Sequence, residues 1–399
     1  GILLNKIGQR AGETKQDEIE ESMQHILPIK ALCAIEFPNQ AQFNPYKYAM
    51  GLAQKVTEGH TQIFEDSKVV DIQATEQDEN MGEITLEELI KRMKNKIEAV
   101  KNNRTKVEYQ VKLENGCTVR AKYVVIATKY PILNFPGYYF LKMYQSTSNV
   151  IVVETKETPI EGMYINAEAP TISIRSIKYE GKNMVLIAGF DHKTGANIDL
   201  KNGYQYLEKV AQSLYPNCKV RYRWNTQDCI SLDKIPYIGP FSTLLPHIYV
   251  ATGYNKWGVT TSNIAARMIV DAIMERQNPY TEVFNSTRME PVKNRKEVGS
   301  MLKQTVQSLV LEKLEIPKET LNQVQKGEGN IIEIGGKKVG IYKNELEEIF
   351  LIKPVCQHLG CELAWNNLDK TWDCPCHGSR YDYKGNLLYG PSVKNLEKL

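Results

Sequence analysis

The residues most able to do chemistry lie close together near the C-terminal end. Cys356-Gln357-His358 and, after fifteen intervening residues, Cys374-Pro375-Cys376-His377, together with Cys361, gather six sulfur or imidazole groups between Pro354 and Tyr383. A Cys-x-His pair followed by Cys-x-x-His is the spacing by which two loops each present one thiolate and one imidazole. Cys356, His358, Cys374 and His377 therefore read as a metal-ligand set. Thiolates and neutral imidazoles both bind transition metals, and a tetrahedral set of two cysteines and two histidines is a common structural zinc site.

A second reading is more specific. The Cys-x-His first pair, the two extra cysteines, and the continuations His358-Leu359-Gly360-Cys361 and Gly378-Ser379-Arg380-Tyr381 resemble the Rieske iron–sulfur signature. The resemblance implies that Cys356 and Cys374 hold one iron of a [2Fe-2S] cluster and His358 and His377 the other. It also implies a disulfide between Cys361 and Cys376 that ties the two loops, hydrogen bonds to sulfur from Ser379 and Tyr381, and a covering proline loop at Gly390-Pro391. Donors aimed at sulfur favour the reduced cluster, so the expected potential lies in the upper part of a range of roughly −150 to +300 mV.

These loops need a scaffold of short strands. Asn330–Ile334 and Lys337–Tyr342, joined at Gly335-Gly336, read as a hairpin, and Ile349–Lys353 leads into the first loop. Upstream, a Lys/Glu-rich stretch with a helical pattern, Glu297–Glu315, reads as a linker helix. Before it runs an α/β pattern. Helices are expected over Asp17–His25, Tyr46–Thr57, Thr85–Asn103, Tyr204–Leu214 and Thr261–Gln277. Strands are expected over Leu27–Phe37, Gln62–Phe64, Lys68–Ile72, Asn149–Glu154, Thr171–Ile177, Met184–Gly189, Lys219–Trp224 and Ile248–Thr252. Val107–Glu114 and Thr118–Lys122 flank Asn115-Gly116, a strong hairpin turn, and Tyr123–Thr128 has the continuous apolar run of a buried parallel strand.

A second chemistry sits in this upstream part. Tyr123–Thr128, Asp228, Asp233–Gly239 and Ala251–Ser262 together resemble the FAD-dependent oxidoreductases of the D-amino-acid oxidase and glycine oxidase superfamily, over most of residues 20–290. The resemblance implies flavin contacts from Gly253, Tyr254, Lys256, Trp257, Gly258, Val259 and Thr260. It further implies contacts from Ala127 and Thr128 at a strand end and, on the adenine side, from Val69 or Val70. A strand ending at Gly253 and a helix beginning near Thr261 would direct backbone N–H groups and a positive dipole end at an electron-rich ligand. Lys129 departs from the histidine of close relatives and is given no role. His192 and Tyr254 are visible candidates for a base, and Gln40 and Gln42 for the substrate side, but the catalytic group is not identifiable.

The superfamily's opening strand–Gly-x-Gly-x-x-Gly–helix unit, which seats the FAD pyrophosphate on a helix N-terminus, has no counterpart in this sequence. The expectation is therefore an N-terminally truncated flavoprotein. Its fold would be α/β (α+β), lacking the first βαβ unit, over residues 1–290. A linker helix over 291–320 and a small all-β Rieske domain over 321–399 would follow. Relatives in which such an oxidoreductase is fused to a C-terminal Rieske domain share this order.

The expected function is oxidation of a small amine or amino acid by FAD, with electrons passed to the Rieske cluster and on to an acceptor whose identity the sequence does not reveal. The alternative is a non-catalytic Rieske electron carrier on a degenerate flavoprotein scaffold. Fifty Lys and Arg against 47 Asp and Glu leave +3, too balanced for a nucleic-acid surface. No apolar run approaches the roughly 18 residues of a membrane span, and the expected location is cytoplasmic.

Overall fold

The computed structural model describes residues 37–39, 41–75, 107–196, 200–288, 324–334 and 336–399. The expected helices Asp17–His25, Thr85–Asn103 and Glu297–Glu315, most of the strand Leu27–Phe37, Gln40 and Gly335 lie outside them. The chain forms two compact units, Gly1–Glu58 with Ser146–Gln227, and Gly59–Gln145 with Asp228–Leu399.

The first unit contains helix α1 (Pro45–Glu58), whose side chains are largely exposed. Its sheet has the order β6-β7-β8-β5-β9. The strands are β5 (Met143–Glu154), β6 (Met163–Ile165), β7 (Ile172–Tyr179), β8 (Lys182–Lys193) and β9 (Lys219–Ser231). β5, β6, β7 and β8 pair antiparallel, as expected. Alternate residues Ile151, Val153, Ile172, Ile174, Val185 and Ile187 form one apolar face, and helix α2 (Leu200–Leu214) covers it with Tyr204, Leu207 and Ala211. The period of two in the strands meets a helical i, i+3, i+7 stripe.

In the second unit, β1 (Val69–Thr75), β2 (Glu108–Leu113) and β3 (Thr118–Ala121) form an antiparallel sheet. Asn115 Oδ1 accepts from the Cys117 N–H (3.0 Å) and Gly116 sits at φ 86°, the left-handed geometry the Asn-Gly turn requires. Gln62–Phe64 forms no strand: Ile63 and Phe64 stay exposed, 50% and 70%, so their apolar alternation has no face to cover.

A second sheet orders β10 (Tyr237–Ser242), β11 (Leu245–Thr252) and β4 (Val124–Ile126). β4 and β11 are parallel, with Ile248 opposite Val124 and Val250 opposite Ile126. Helix α3 (Gly258–Ile273) buries Thr261, Ala265, Met268 and Ile269, packing this stripe on Ile238, Tyr249 and Ala251. Its first turn begins three residues earlier than the apolar periodicity suggests, because Gly258–Thr260 are helical but not buried.

The C-terminal part is all-β. β12 (Glu328–Ile334), β13 (Lys337–Lys343) and β14 (Ile349–Ile352) form one antiparallel sheet. β15 (Ala364–Asn366), β16 (Thr371–Asp373), β17 (Arg380–Asp382) and β18 (Leu387–Tyr389) form another. Trp372, fully buried, centres their shared core with Leu363, Ile352 and Tyr381. Gly329 is required there, since a Cβ would lie 2.5 Å from the Trp365 ring.

Candidate functional site

Two loops leave this C-terminal scaffold, and they are built alike. In the first, the Gly360 N–H donates to Cys356 O (3.0 Å) and the Cys356 N–H to Cys361 O (2.8 Å). In the second, the Gly378 N–H donates to Cys374 O (2.9 Å) and the Cys374 N–H to Ser379 O (2.8 Å). Each loop turns on a left-handed glycine four residues past its cysteine, Gly360 at φ 76° and Gly378 at φ 77°. Cys361 and Cys376 are joined by a disulfide, with Cα atoms 6.6 Å apart, which cross-links the two turns.

The four expected ligands converge at the loop tips. Cys356 and Cys374 are buried free thiols. The His358 and His377 rings lie 5.0 Å apart with their planes at 87°. Burial, and then the His377 imidazole, push His358 down to about 3, so its ring is neutral and keeps a lone pair. His358 Nδ1 is buried with no hydrogen-bond partner. A buried imidazole nitrogen without a partner and two buried free thiols, carried on the same two loops, are the donor types a transition-metal centre needs, so the donor set fits. Among the described residues the one group of three or more ligand atoms within 4.8 Å of one another is Cys361, Cys374 and Cys376, but two of these are spent in the disulfide, so that trio offers one thiol.

The surroundings favour negative charge on Cys356. A hydrogen bond from Cys374, and further ones from the Tyr381 and Ser379 hydroxyls, outweigh burial and hold the Cys356 thiol below its ordinary value; the same contact raises Cys374. The Tyr381 hydroxyl lies 3.5 Å from Cys356 Sγ and accepts from the Gln357 N–H at 3.2 Å. Ser379 Oγ accepts from the Ser392 N–H (3.0 Å), which fixes the segment after Gly390-Pro391, whose peptide is cis. Between these two residues Arg380, 5% exposed, donates to Asp373 Oδ1 (2.9 Å) and Asp369 Oδ2 (2.8 Å). This ion-pair network had no signature in the sequence beyond the alternation of β17.

The expected flavin residues fall into two groups. Ala127 and Thr128 follow β4, Gly253 to Trp257 follow β11, and Gly258, Val259 and Thr260 open α3. Because β4 and β11 are adjacent and parallel, both connections emerge at one edge, outside the carboxyl ends of the strands, where open α/β sheets bind ligands. The Thr252 hydroxyl donates to Lys129 O across this edge. Gly253 is buried at φ 70°, and a Cβ there would meet Met143 Sδ at 3.2 Å.

Two and three residues further on, Asn255 and Lys256 are also left-handed, φ 50° and 73°. Asn255 Oδ1 accepts from the Ser231 N–H (2.9 Å), pinning the loop, a role not visible in the sequence. Lys256 Nζ stands 4.0 Å from Asp228, and Trp257 is 56% exposed. Val69 and Val70, by contrast, open β1 in the other sheet.

Neither base candidate gains support. Burial pushes Tyr254 up to about 12, which keeps it protonated at neutral pH. His192 is held by its own strand, with Nδ1 3.1 Å from Phe190 O. Gln42 donates to Ser176 O (3.3 Å).

The residues that link the two regions were missed by sequence reasoning. Tyr130, two residues past Thr128, is 4% exposed, and its ring lies 6.2 Å from the His358 ring and 6.3 Å from that of His377. Phe140 packs edge-on to His377 at 6.0 Å, and Asn134 Oδ1 accepts from His358 Nε2. They carry no motif; only the fold brings them to the loops.

Fold, loops and ligand geometry define a flavoprotein-like oxidoreductase scaffold with a Rieske centre. The profile of the FAD dependent oxidoreductase (DAO) family matches residues 6–272, and that of the Rieske [2Fe-2S] domain residues 316–399. The chain belongs to the FAD-dependent oxidoreductase family and carries a C-terminal Rieske domain, so its cofactors are FAD and a [2Fe-2S] cluster.

It is 30% identical over 373 residues, 94% of its length, to YhfW of Bacillus subtilis, whose name provisionally assigns it a Rieske 2Fe-2S centre; the match covers 67% of YhfW. Its last part is 37% identical over 89 residues to the iron–sulfur subunit 1 of the cytochrome b6-f complex of Nostoc, 22% of this chain and 46% of that one. Glycine oxidase of Geobacillus kaustophilus aligns with 46% of the chain and 50% of its own, at 18% identity and a TM-score of 0.39. The chain thus spans two thirds of YhfW and about half of the other two. Among the described residues, no helix is long and apolar enough to cross a membrane.

Proposed function

We propose that this oxidoreductase takes electrons from an amine or amino acid at its flavin and passes them singly to the Rieske cluster, from which a one-electron acceptor withdraws them. When bound, FAD supplies the two-electron oxidation of a C–N bond, in which the substrate loses a hydride and a proton and becomes the imine, and the cluster takes up those electrons one at a time. Cys356 and Cys374 are the thiolate ligands, His358 and His377 the imidazole ligands, and Ser379 and Tyr381 the donors to sulfur. Ala127, Thr128 and the 253–260 segment lie against the flavin ring.

The observation that carries this reading is the position of Tyr130. Its N–H donates to Thr128 O (2.8 Å), at the edge assigned to flavin, while its ring meets both cluster histidines. The two redox sites would then be separated by little more than one side chain. A pyrophosphate-binding glycine loop is not among the described residues, so they supply only the ring side of the flavin site. A cytoplasmic location is part of the same proposal: the exposed Cys117 thiol suits a reducing compartment, and the Cys361–Cys376 bridge is buried.

The test is an absorption and EPR spectrum of anaerobically purified protein before and after dithionite. The expected result is a Rieske-type EPR signal appearing on reduction together with bleaching of oxidised-flavin bands. A Rieske signal without flavin bands would leave a cluster-bearing electron carrier, and bound zinc with neither signal would overturn the proposal.

A further inference from the structure

The imidazole edge of a histidine-ligated cluster is its natural contact surface, because the ring nitrogens that do not bind metal point outward. Here that edge is covered by residues of the same compact unit. Tyr130, Asn134 and Phe140 lie against His358 and His377. Beside them Gly378, in the second cluster loop, approaches Gln145 so closely that a Cβ would overlap the Gln145 side chain. Lys129 Nζ stands 5.8 Å from the centroid of the Tyr389 ring in β18. Five residues between 129 and 145 therefore contact the Rieske domain, four of them at its cluster loops.

We infer that the 129–145 segment is an internal docking surface for the histidine edge, and that Asn134 is its positioning residue, fixing the orientation and tautomer of His358. A carboxamide oxygen only accepts, so the Nε2 that meets Asn134 Oδ1 carries the ring's proton. A neutral imidazole has one N–H, which leaves the lone pair on Nδ1, the buried nitrogen without a hydrogen-bond partner. An acceptor on the far nitrogen also raises the basicity of the ligating one. A more basic ligand favours the oxidised, more positive iron, so Asn134 holds the cluster potential down. This inference rests on the proposed transfer from flavin to cluster only for its purpose; the contact and its effect on the cluster are separate from it.

The experiment uses the full chain with both cofactors. Asn134→Leu removes the acceptor at similar volume, and Asn134→Asp retains one. The cluster's midpoint potential, followed by EPR, is expected to rise in Asn134→Leu by a tenfold change in the reduction equilibrium, 59 mV for one electron, and to stay at or below the wild-type value in Asn134→Asp. Intact clusters with the same potential in all three proteins would overturn the assignment.

If Asn134→Leu does not fold, Asn134→Ala decides by the same readout: its midpoint potential is expected to rise in the same direction, and an intact cluster at the wild-type potential would overturn the assignment. Anaerobic photoreduction of the flavin tests the underlying transfer alone: failure of the wild-type cluster to become reduced would refute that transfer while leaving the Asn134 result standing.

Discussion

Replacing both cysteines of the bridge, Cys361→Ala with Cys376→Ala, removes a cross-link across a sequence separation of 15. In the loop-closure treatment, freeing a loop of that length returns about 3 kcal/mol of entropy to the unfolded chain. Domains are stable by only about 5–15 kcal/mol, so this is a large fraction of what keeps the C-terminal domain folded. Both residues are buried, 2% and 4% exposed, and the small voids left by alanine add to the loss. Urea unfolding followed by the visible circular dichroism of the cluster reports this domain alone. With a slope of about 1 kcal/mol/M, the midpoint should fall by about 3 M. Wild-type protein whose bridge has been reduced should behave like the double variant. A fall worth less than about 0.5 kcal/mol, or a reduced wild type that matches the oxidised one, would refute the idea that the bridge clamps the cluster loops.

Tyr381→Phe removes a donor to Cys356 Sγ; taking its preference for the reduced cluster as about 1 kcal/mol, the potential should drop by about 40 mV, measurable by EPR titration. Gly253→Ala places a Cβ at φ 70° and 3.2 Å from Met143 Sδ, so FAD occupancy should fall about tenfold by absorbance while the cluster EPR signal is unchanged. Arg288 donates to both Asp233 oxygens, 2.7 and 3.0 Å, with both side chains mostly buried, and Arg288→Gln should cost about 3 kcal/mol at neutral pH in denaturant unfolding. Burial alone would raise the Asp233 carboxyl, but hydrogen bonds from Arg288 and the Ile235 N–H hold it below its ordinary value. A depressed carboxylate contributes stability above its unfolded pKa, about 3.9, and loses it as pH falls through the folded value; the cost of Arg288→Gln should therefore shrink below about pH 4.

The ligand loops were legible because their chemistry is local. Cys356, His358, Cys374 and His377 occupy fixed offsets, and the glycines that turn the loops lie in the same short segments. Elements with strong local codes were also legible. The Asn115-Gly116 hairpin, the apolar run ending at Ile126, and the stripe Ala265, Met268 and Ile269 all formed as their patterns require.

What stayed hidden depends on partners far away in sequence. Gln62–Phe64 looks like a strand in isolation and pairs with no strand among the described residues. Tyr237–Ser242 carries Gly239 and Pro240, poor strand residues, yet it is a strand because β11 offers a partner edge. Tyr130 and Asn134 are an ordinary loop tyrosine and asparagine until the fold places His358, 224 residues away from Asn134, against them.

That long-range contact constrains how electrons can leave the cluster. On the cysteine side the site is closed by the Cys361–Cys376 bridge, by Tyr381 and Ser379, and by the buried Arg380 network with Asp369 and Asp373. On the histidine side Tyr130, Asn134 and Phe140 lie against the ligand rings. An outside acceptor that used this imidazole edge would compete with the 129–145 segment for it. In the transfer proposed above, docking that shortened the path from flavin would also shield the cluster from any other partner. Delivery to an acceptor in that scheme would require either that the hydrogen bond between His358 and Asn134 break in each cycle or that the acceptor approach through the cysteine side. The first route is the less costly, since it gives up one hydrogen bond and a few aromatic edges rather than a covalent bridge and a buried ion-pair network.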